Sequence, residues 1–166
     1  MTEPGADPII VEGHYPVPPA RVFRAWTDPD VVKKWFGTTP GGLESATVDL
    51  RPGGRWSFIE HASQDTIAGF EGEYVEVVTD ELLVFTWSKF TSDRGTGKRQ
   101  STPVSRVEIR FVPTAGGTDM RLTHSKLDPD SRIGFRVGWE LGSANLASLL
   151  RTDVQTTQDR PTSATR

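Results

Sequence analysis

The chain has 166 residues, 35% of them apolar and 25% charged, with eight Phe and five Trp, and a formal net charge of −3. That is about one domain's worth of sequence, able to bury roughly two-thirds of its unfolded surface, and too rich in aromatic residues for a disordered chain. The slight acidity supplies no basic field for phosphate backbones, and the absence of cysteine removes disulfides, thiolate metal ligands and a Cys nucleophile.

Residues 1–7 are polar with Pro and Gly, and are expected to be a flexible N-terminus. They carry no basic, then apolar, leader pattern, and no stretch reaches the roughly 18 apolar residues of a membrane span, so a cytoplasmic protein is expected. A first strand is predicted over residues 9–15. Pro18 and Pro19 open a short helix that carries Val22, Phe23 and Trp26 on one side and Arg21 and Arg24 on the other. Asp28 and Pro29 repeat the start signal, a capping carboxylate followed by Pro at the first helical position. Val31, Val32, Trp35 and Phe36 then form a second apolar face before Gly37.

From residue 43 to 126 the hydrophobic period is two. Ala46, Val48 and Leu50 alternate with polar neighbours, as do Trp56 with Phe58, Phe70 with Tyr74, Val107 with Ile109 and Phe111, and Met120 with Leu122; Leu83, Phe85 and Trp87 share one parity. Six such strands join the first in an antiparallel sheet. Turn chemistry punctuates them at Pro52–Gly54, at Thr79 and Asp80, and at Ala115–Gly117, while residues 92–103 read as an exposed hairpin loop. Asp128 and Pro129 start a long helix running to Arg151, with Trp139, Ser143, Leu146 and Leu150 along one face and Ile133, Val137, Leu141 and Ala144 beside them. Residues 152–166 offer little apolar surface and are expected to be a disordered tail. The folded domain is thus residues 8–151.

The fold class is α+β: a curved antiparallel sheet of six to seven strands around a long C-terminal helix, with two short helices after strand 1. One helix cannot cover so wide a sheet, and an apolar cavity between them is the expected consequence.

Several segments also resemble a known family. They are residues 27–30 with Trp35 and Phe36, residues 49–56 (DLRPGGRW), residues 72–77 (GEYVEV), residues 83–87 (LVFTW), residues 122–125 (LTHS), and Gly138 and Trp139 ahead of Leu146, Leu149 and Leu150. Together they resemble the START-like (SRPBCC, helix-grip) superfamily, in the branch named for activators of the heat-shock-protein-90 ATPase, also called the polyketide cyclase/dehydrase and lipid-transport superfamily. The resemblance covers residues 8–151 and implies the helix-grip fold. Its members include ligand carriers, cyclases, antibiotic-resistance proteins and cochaperone domains, so the fold alone does not choose a function. In cochaperone activators this domain follows a separate N-terminal domain, whereas here the first strand begins within ten residues of Met1.

Strand parity predicts which polar groups point inward. If Trp56 and Phe58 face the cavity, so does Glu60; likewise Glu76 follows Phe70 and Tyr74, and His124 follows Met120 and Leu122. A desolvated carboxylate near a histidine is the arrangement of a general acid and base, which makes Glu76 and His124 the candidate catalytic pair. The alternative is that these groups sit at strand ends and close the cavity mouth. The candidate ligand-binding set is Trp35, Phe36, Trp56, Phe58, Glu60, Phe70, Tyr74, Glu76, Phe85, Trp87, Phe111, Leu122, His124, Phe135 and Trp139; each aromatic taken singly reads first as packed core, and together they read as the lining of a site for a flat ligand. Gly134, Gly138 and Gly142 recur every four residues on the last helix, each costing about 1 kcal/mol relative to Ala, so either close packing or room for a ligand is expected there.

His14, His61 and His124 fall on separate strands without ligand spacing, and no GxSxG, Walker loop or GxGxxG follows a strand, so neither metal nor cofactor is expected. His124 and Ser125, being adjacent, point to opposite faces. Binding of a small hydrophobic molecule, lipid-like, aromatic or polyketide-like, is the leading expectation. A cyclase or hydratase on the same scaffold and a stress- or chaperone-related interaction module are the alternatives. Monomer and homodimer stay equally open, and 14 Arg against 5 Lys points to a GC-rich bacterial genome.

Overall fold

Residues 7–37 and 42–159 are described by the structure, a computed structural model. Strand β1 spans Ile9–Tyr15, and helices α1 and α2 span Pro19–Thr27 and Pro29–Trp35. Each helix starts on a proline, as the sequence predicts. The Asp28 carboxylate accepts the backbone N–H of Asp30 at 2.9 Å and caps α2. The chain then builds β2 (Ser45–Val48), β3 (Arg55–Ala62), β4 (Thr66–Val78), β5 (Leu82–Asp93), β6 (Arg99–Ser101), β7 (Ser105–Thr114) and β8 (Gly117–Ser125), and ends in α3 (Pro129–Asp159).

The sheet is antiparallel with strand order β1-β8-β7-β5-β4-β3-β2, and β6 pairs with the far end of β5. Its inner face carries the predicted parity: Trp56, Phe58, Phe70, Tyr74, Phe85, Trp87, Val107, Ile109, Phe111, Met120 and Leu122 are all buried. At Gly72 of β4 the adjacent strand β5 comes close. A Cβ there would lie 1.9 Å from the Thr86 carbonyl oxygen, an approach that only glycine permits. Helices α1 and α2 fill one end of the concave face. The Trp35 indole donates to the Ala25 carbonyl at 2.8 Å, and the Trp26 indole lies 3.2 Å from the Met120 sulfur.

Four expectations need correction. The loop predicted over 92–103 contains the end of β5 and all of β6, because the Asp93 carboxylate accepts the N–H groups of Gly95 and Thr96 and folds the chain back on itself. Leu50 is not an inward strand residue: β2 ends at Val48, and Leu50 is exposed before the Pro52–Gly54 turn. Helix α3 does not stop at Arg151 but continues to Asp159, since no Gly or Pro interrupts it before Pro161. Ile133, Val137 and Leu141 are exposed instead of sharing the buried face. That face is Phe135, Trp139, Gly142, Leu146 and Leu150, at spacings of four, three, four and four. Of the expected loose ends, residues 1–7 and 152–166, residues 152–159 belong to α3, and residues 1–6 and 160–166 lie outside the described residues. Among the described residues no helix is long and apolar enough to cross a membrane.

Candidate functional site

Between the first half of α3 and the concave face lies a cavity of about 250 Å³. Trp35 and Phe36, at the end of α2, form one wall. Phe70 of β4 and Trp87 of β5 form the floor, and Phe135 and Trp139 hang from α3. The rings meet edge-on or tilted: Phe70 and Trp87 have centroids 4.8 Å apart, Trp87 and Trp139 5.0 Å, and Phe36 and Trp139 6.0 Å. Polar groups line the cavity as well. They are Glu60 from β3, Lys89 from β5, Thr102 from the turn after β6, and Asp130 and Ser131 from the start of α3.

The glycine stripe forms the helical side of the same cavity. A Cβ at Gly134 or Gly138 would meet nothing within 4 Å, and one at Gly142 would touch only the Trp35 ring, at 3.7 Å. Of the two readings open for these glycines, close backbone packing is therefore ruled out at Gly134 and Gly138. There the missing side chains leave free space.

Seven of the sequence-predicted residues are brought together here: Trp35, Phe36, Glu60, Phe70, Trp87, Phe135 and Trp139. Trp56, Phe58, Tyr74 and Phe85 lie instead around a separate void of about 10 Å³, room for about one water molecule. Phe111 packs edge-on against Phe23, with ring centroids 5.5 Å apart, and Leu122 is 1% exposed; both belong to the packed core.

The proposed acid and base do not form a pair. A β-bulge between Tyr74 and Glu76 shifts the register of β4 against β5, so that Val77 turns toward the core while Glu76 is exposed on the outer face. Parity carried through that bulge is reversed. Ionisable lining of the cavity is left to Glu60, Lys89 and Asp130.

His124 is inward, as parity predicts, but fully buried behind the cavity wall. Its ring stacks on Phe135, with centroids 5.3 Å apart, and Nδ1 accepts the Trp139 indole N–H at 2.9 Å. With Nδ1 an acceptor the proton sits on Nε2, which donates to the Ser105 hydroxyl at 2.7 Å; that hydroxyl donates onward to the Trp87 carbonyl at 3.3 Å. Desolvation lowers the histidine's pKa from 6.5 to about 3, so it is neutral at physiological pH. It ties α3 to β7 and β5 through two residues that line the cavity.

Sequence reasoning missed Lys89, Thr102, Asp130, Ser131 and Ser105. Lys89 shares the parity of Trp87, and Asp130 and Ser131 share the helical stripe of Gly134 and Gly138, so periodicity could have found these three; Thr102 lies in the irregular segment after β6, where no period applies. Ser105 was not recoverable, since it reaches His124 across a strand pair whose register only the fold sets. Among the described residues no group of three or more His, Asp or Glu side chains gathers where a metal ion could be held.

A family model described as Activator of Hsp90 ATPase homolog 1-like protein matches residues 16–151. A search of curated proteins finds no match. Solved structures are similar throughout the fold. Protein NE0264 from Nitrosomonas europaea is 25% identical, with a TM-score of 0.69 over 88% of this chain and 95% of that one. An uncharacterised protein from Rhizobium leguminosarum is 24% identical, with a TM-score of 0.66 over 87% of this chain and 94% of that one. CalU16 from Micromonospora echinospora is 23% identical, with a TM-score of 0.61 over 90% of this chain and 79% of that one.

Proposed function

We propose, for a chain that belongs to the Activator of Hsp90 ATPase homolog 1-like family, that its task is to bind a small hydrophobic molecule between the sheet and α3. The observation that carries this reading is the glycine stripe. Gly134 and Gly138 each weaken the helix by about 1 kcal/mol relative to Ala, although an Ala Cβ would meet nothing there. A helix that forgoes stability to keep space empty, beside six aromatic rings, is built to admit something flat or chain-like. The volume of about 250 Å³ lies near the lower end for ligand pockets and suits a ligand of one or two rings or a short acyl chain. Glu60, Lys89, Thr102, Asp130 and Ser131 offer partners to a polar end of that ligand. No cofactor enters this reading, and the cysteine-free, arginine-rich composition favours the cytoplasm of a bacterium.

The test is Gly138→Leu, which projects four carbons into the cavity from a position with no neighbour to displace. Titration with the fluorescent probe 1-anilinonaphthalene-8-sulfonate is expected to show at least tenfold weaker binding to the variant, with Tm unchanged or raised. Equal binding to both folded proteins would overturn the proposal.

A further inference from the structure

The donors in the cavity wall narrow the chemistry of the ligand. Three of the five tryptophans have partners for their indole N–H: the Ala25 carbonyl for Trp35, the Met120 sulfur for Trp26 and His124 for Trp139. Trp56 and Trp87 have none, and both N–H groups are buried. The Trp56 nitrogen lies against the backbone at Gly72, 2.8 Å from where a Cβ would stand, beside the void that holds about one water. Trp87 differs, because it lines both that void and the larger cavity.

Around Trp87 stand Phe36, Phe70, Trp56, Phe135, Trp139 and His124, at centroid separations from 4.8 to 5.9 Å; none offers an oxygen acceptor, and both nitrogens of His124 are already engaged. The carboxylates that line the site, Glu60 and Asp130, do not accept from it, since Trp87 Nε1 has no partner. A buried N–H without an acceptor has lost its hydration without replacement, and a ligand that supplies an acceptor regains that free energy on binding. Hydrocarbons of the same shape do not.

We infer that the cavity selects ring compounds bearing an oxygen acceptor, a ketone or ether oxygen, that takes the hydrogen bond from Trp87 Nε1. The inference rests on the small-molecule reading above and adds to it the position and polarity of one ligand atom.

The matched pair 1-tetralone and tetralin, which differ by one carbonyl, tests it by displacement of the fluorescent probe and by ¹H–¹⁵N spectra of the indole region. The ketone is expected to bind about tenfold more tightly than the hydrocarbon, and to move downfield the one indole signal that disappears in Trp87→Phe. In Trp87→Phe, with its four remaining indole signals still dispersed, the preference falls to near one; in Trp56→Phe it persists. Equal binding of the two compounds to the unaltered protein would overturn the inference while leaving the small-molecule reading standing. Failure of both to displace the probe would count against that reading itself. Loss of the preference in Trp56→Phe alone would move the acceptor to the smaller void and overturn the assignment to Trp87.

Discussion

The two halves of α3 meet the interior of the same molecule in opposite ways. From Leu146 to Leu150 the helix is an ordinary packed element, with both leucines fully buried at a spacing of four. From Asp130 to Gly142 it places glycines beside the inward Phe135 and Trp139, along the rim of the cavity, and what they border is space. Phe135 and Trp139 punctuate that first half, and Trp139 is pinned through His124 to the strands beneath. One half therefore holds the fold and the other holds a volume. Substitutions in the two should separate stability from binding.

The largest effect is expected in the packed half. Leu146→Ala removes three carbons from a site with no solvent access, and truncations of this kind cost about 2–5 kcal/mol. A fall in Tm of about 10 °C is expected by calorimetry, with probe affinity unchanged at temperatures where the variant stays folded. A Tm within a degree or two of the parent would mean that the two halves do not differ.

The junction between them comes next, and it has a pH signature. His124 has a pKa of about 3 when folded and about 6.5 when unfolded, so between these values the unfolded chain binds a proton that the folded one does not. Stability must therefore fall as pH drops through 6.5, by about 2 kcal/mol between pH 7 and pH 5 from this group alone. His124→Gln keeps a neutral acceptor for Trp139 and a neutral donor for Ser105, and is expected to flatten that part of the profile. Urea midpoints at the two pH values measure it; equal slopes for parent and variant would show that His124 is not the group responsible.

Much of this contrast was legible in the sequence, and where legibility stopped has a physical pattern. Local rules held where local chemistry decides: Pro19 and Pro29 start helices, Asp28 caps one, and alternation along residues 55–58 and 107–111 assigns the inner face. Parity failed at Glu76 because one bulged residue inverts every assignment beyond it, and nothing in GEYVEV announces the bulge. Aromatic character could not say which rings line a cavity and which fill a core, since Trp56 and Trp87 read alike in sequence and differ only in what stands across from them. The same ambiguity hid the meaning of the glycines. Spacing of four marked their stripe, but close packing and empty space look identical until the opposite wall is placed.

The smallest expected change is also the one that most sharpens the contrast. Gly134→Ala and Gly138→Ala add a methyl group where nothing lies within 4 Å, so the usual helix-propensity gain of about 1 kcal/mol each should appear without a steric penalty. Tm is then expected to rise by a few degrees, the opposite sign from Leu146→Ala, while affinity for the fluorescent probe declines with each methyl group added to the cavity. Gly142→Ala behaves differently, because its new methyl would sit 3.7 Å from the Trp35 ring in ordinary contact, which adds packing as well as propensity. If all three substitutions lowered Tm, the first half of α3 would be closely packed after all. A rise in Tm with a loss of binding would locate in these two glycines the exchange of stability for an open site.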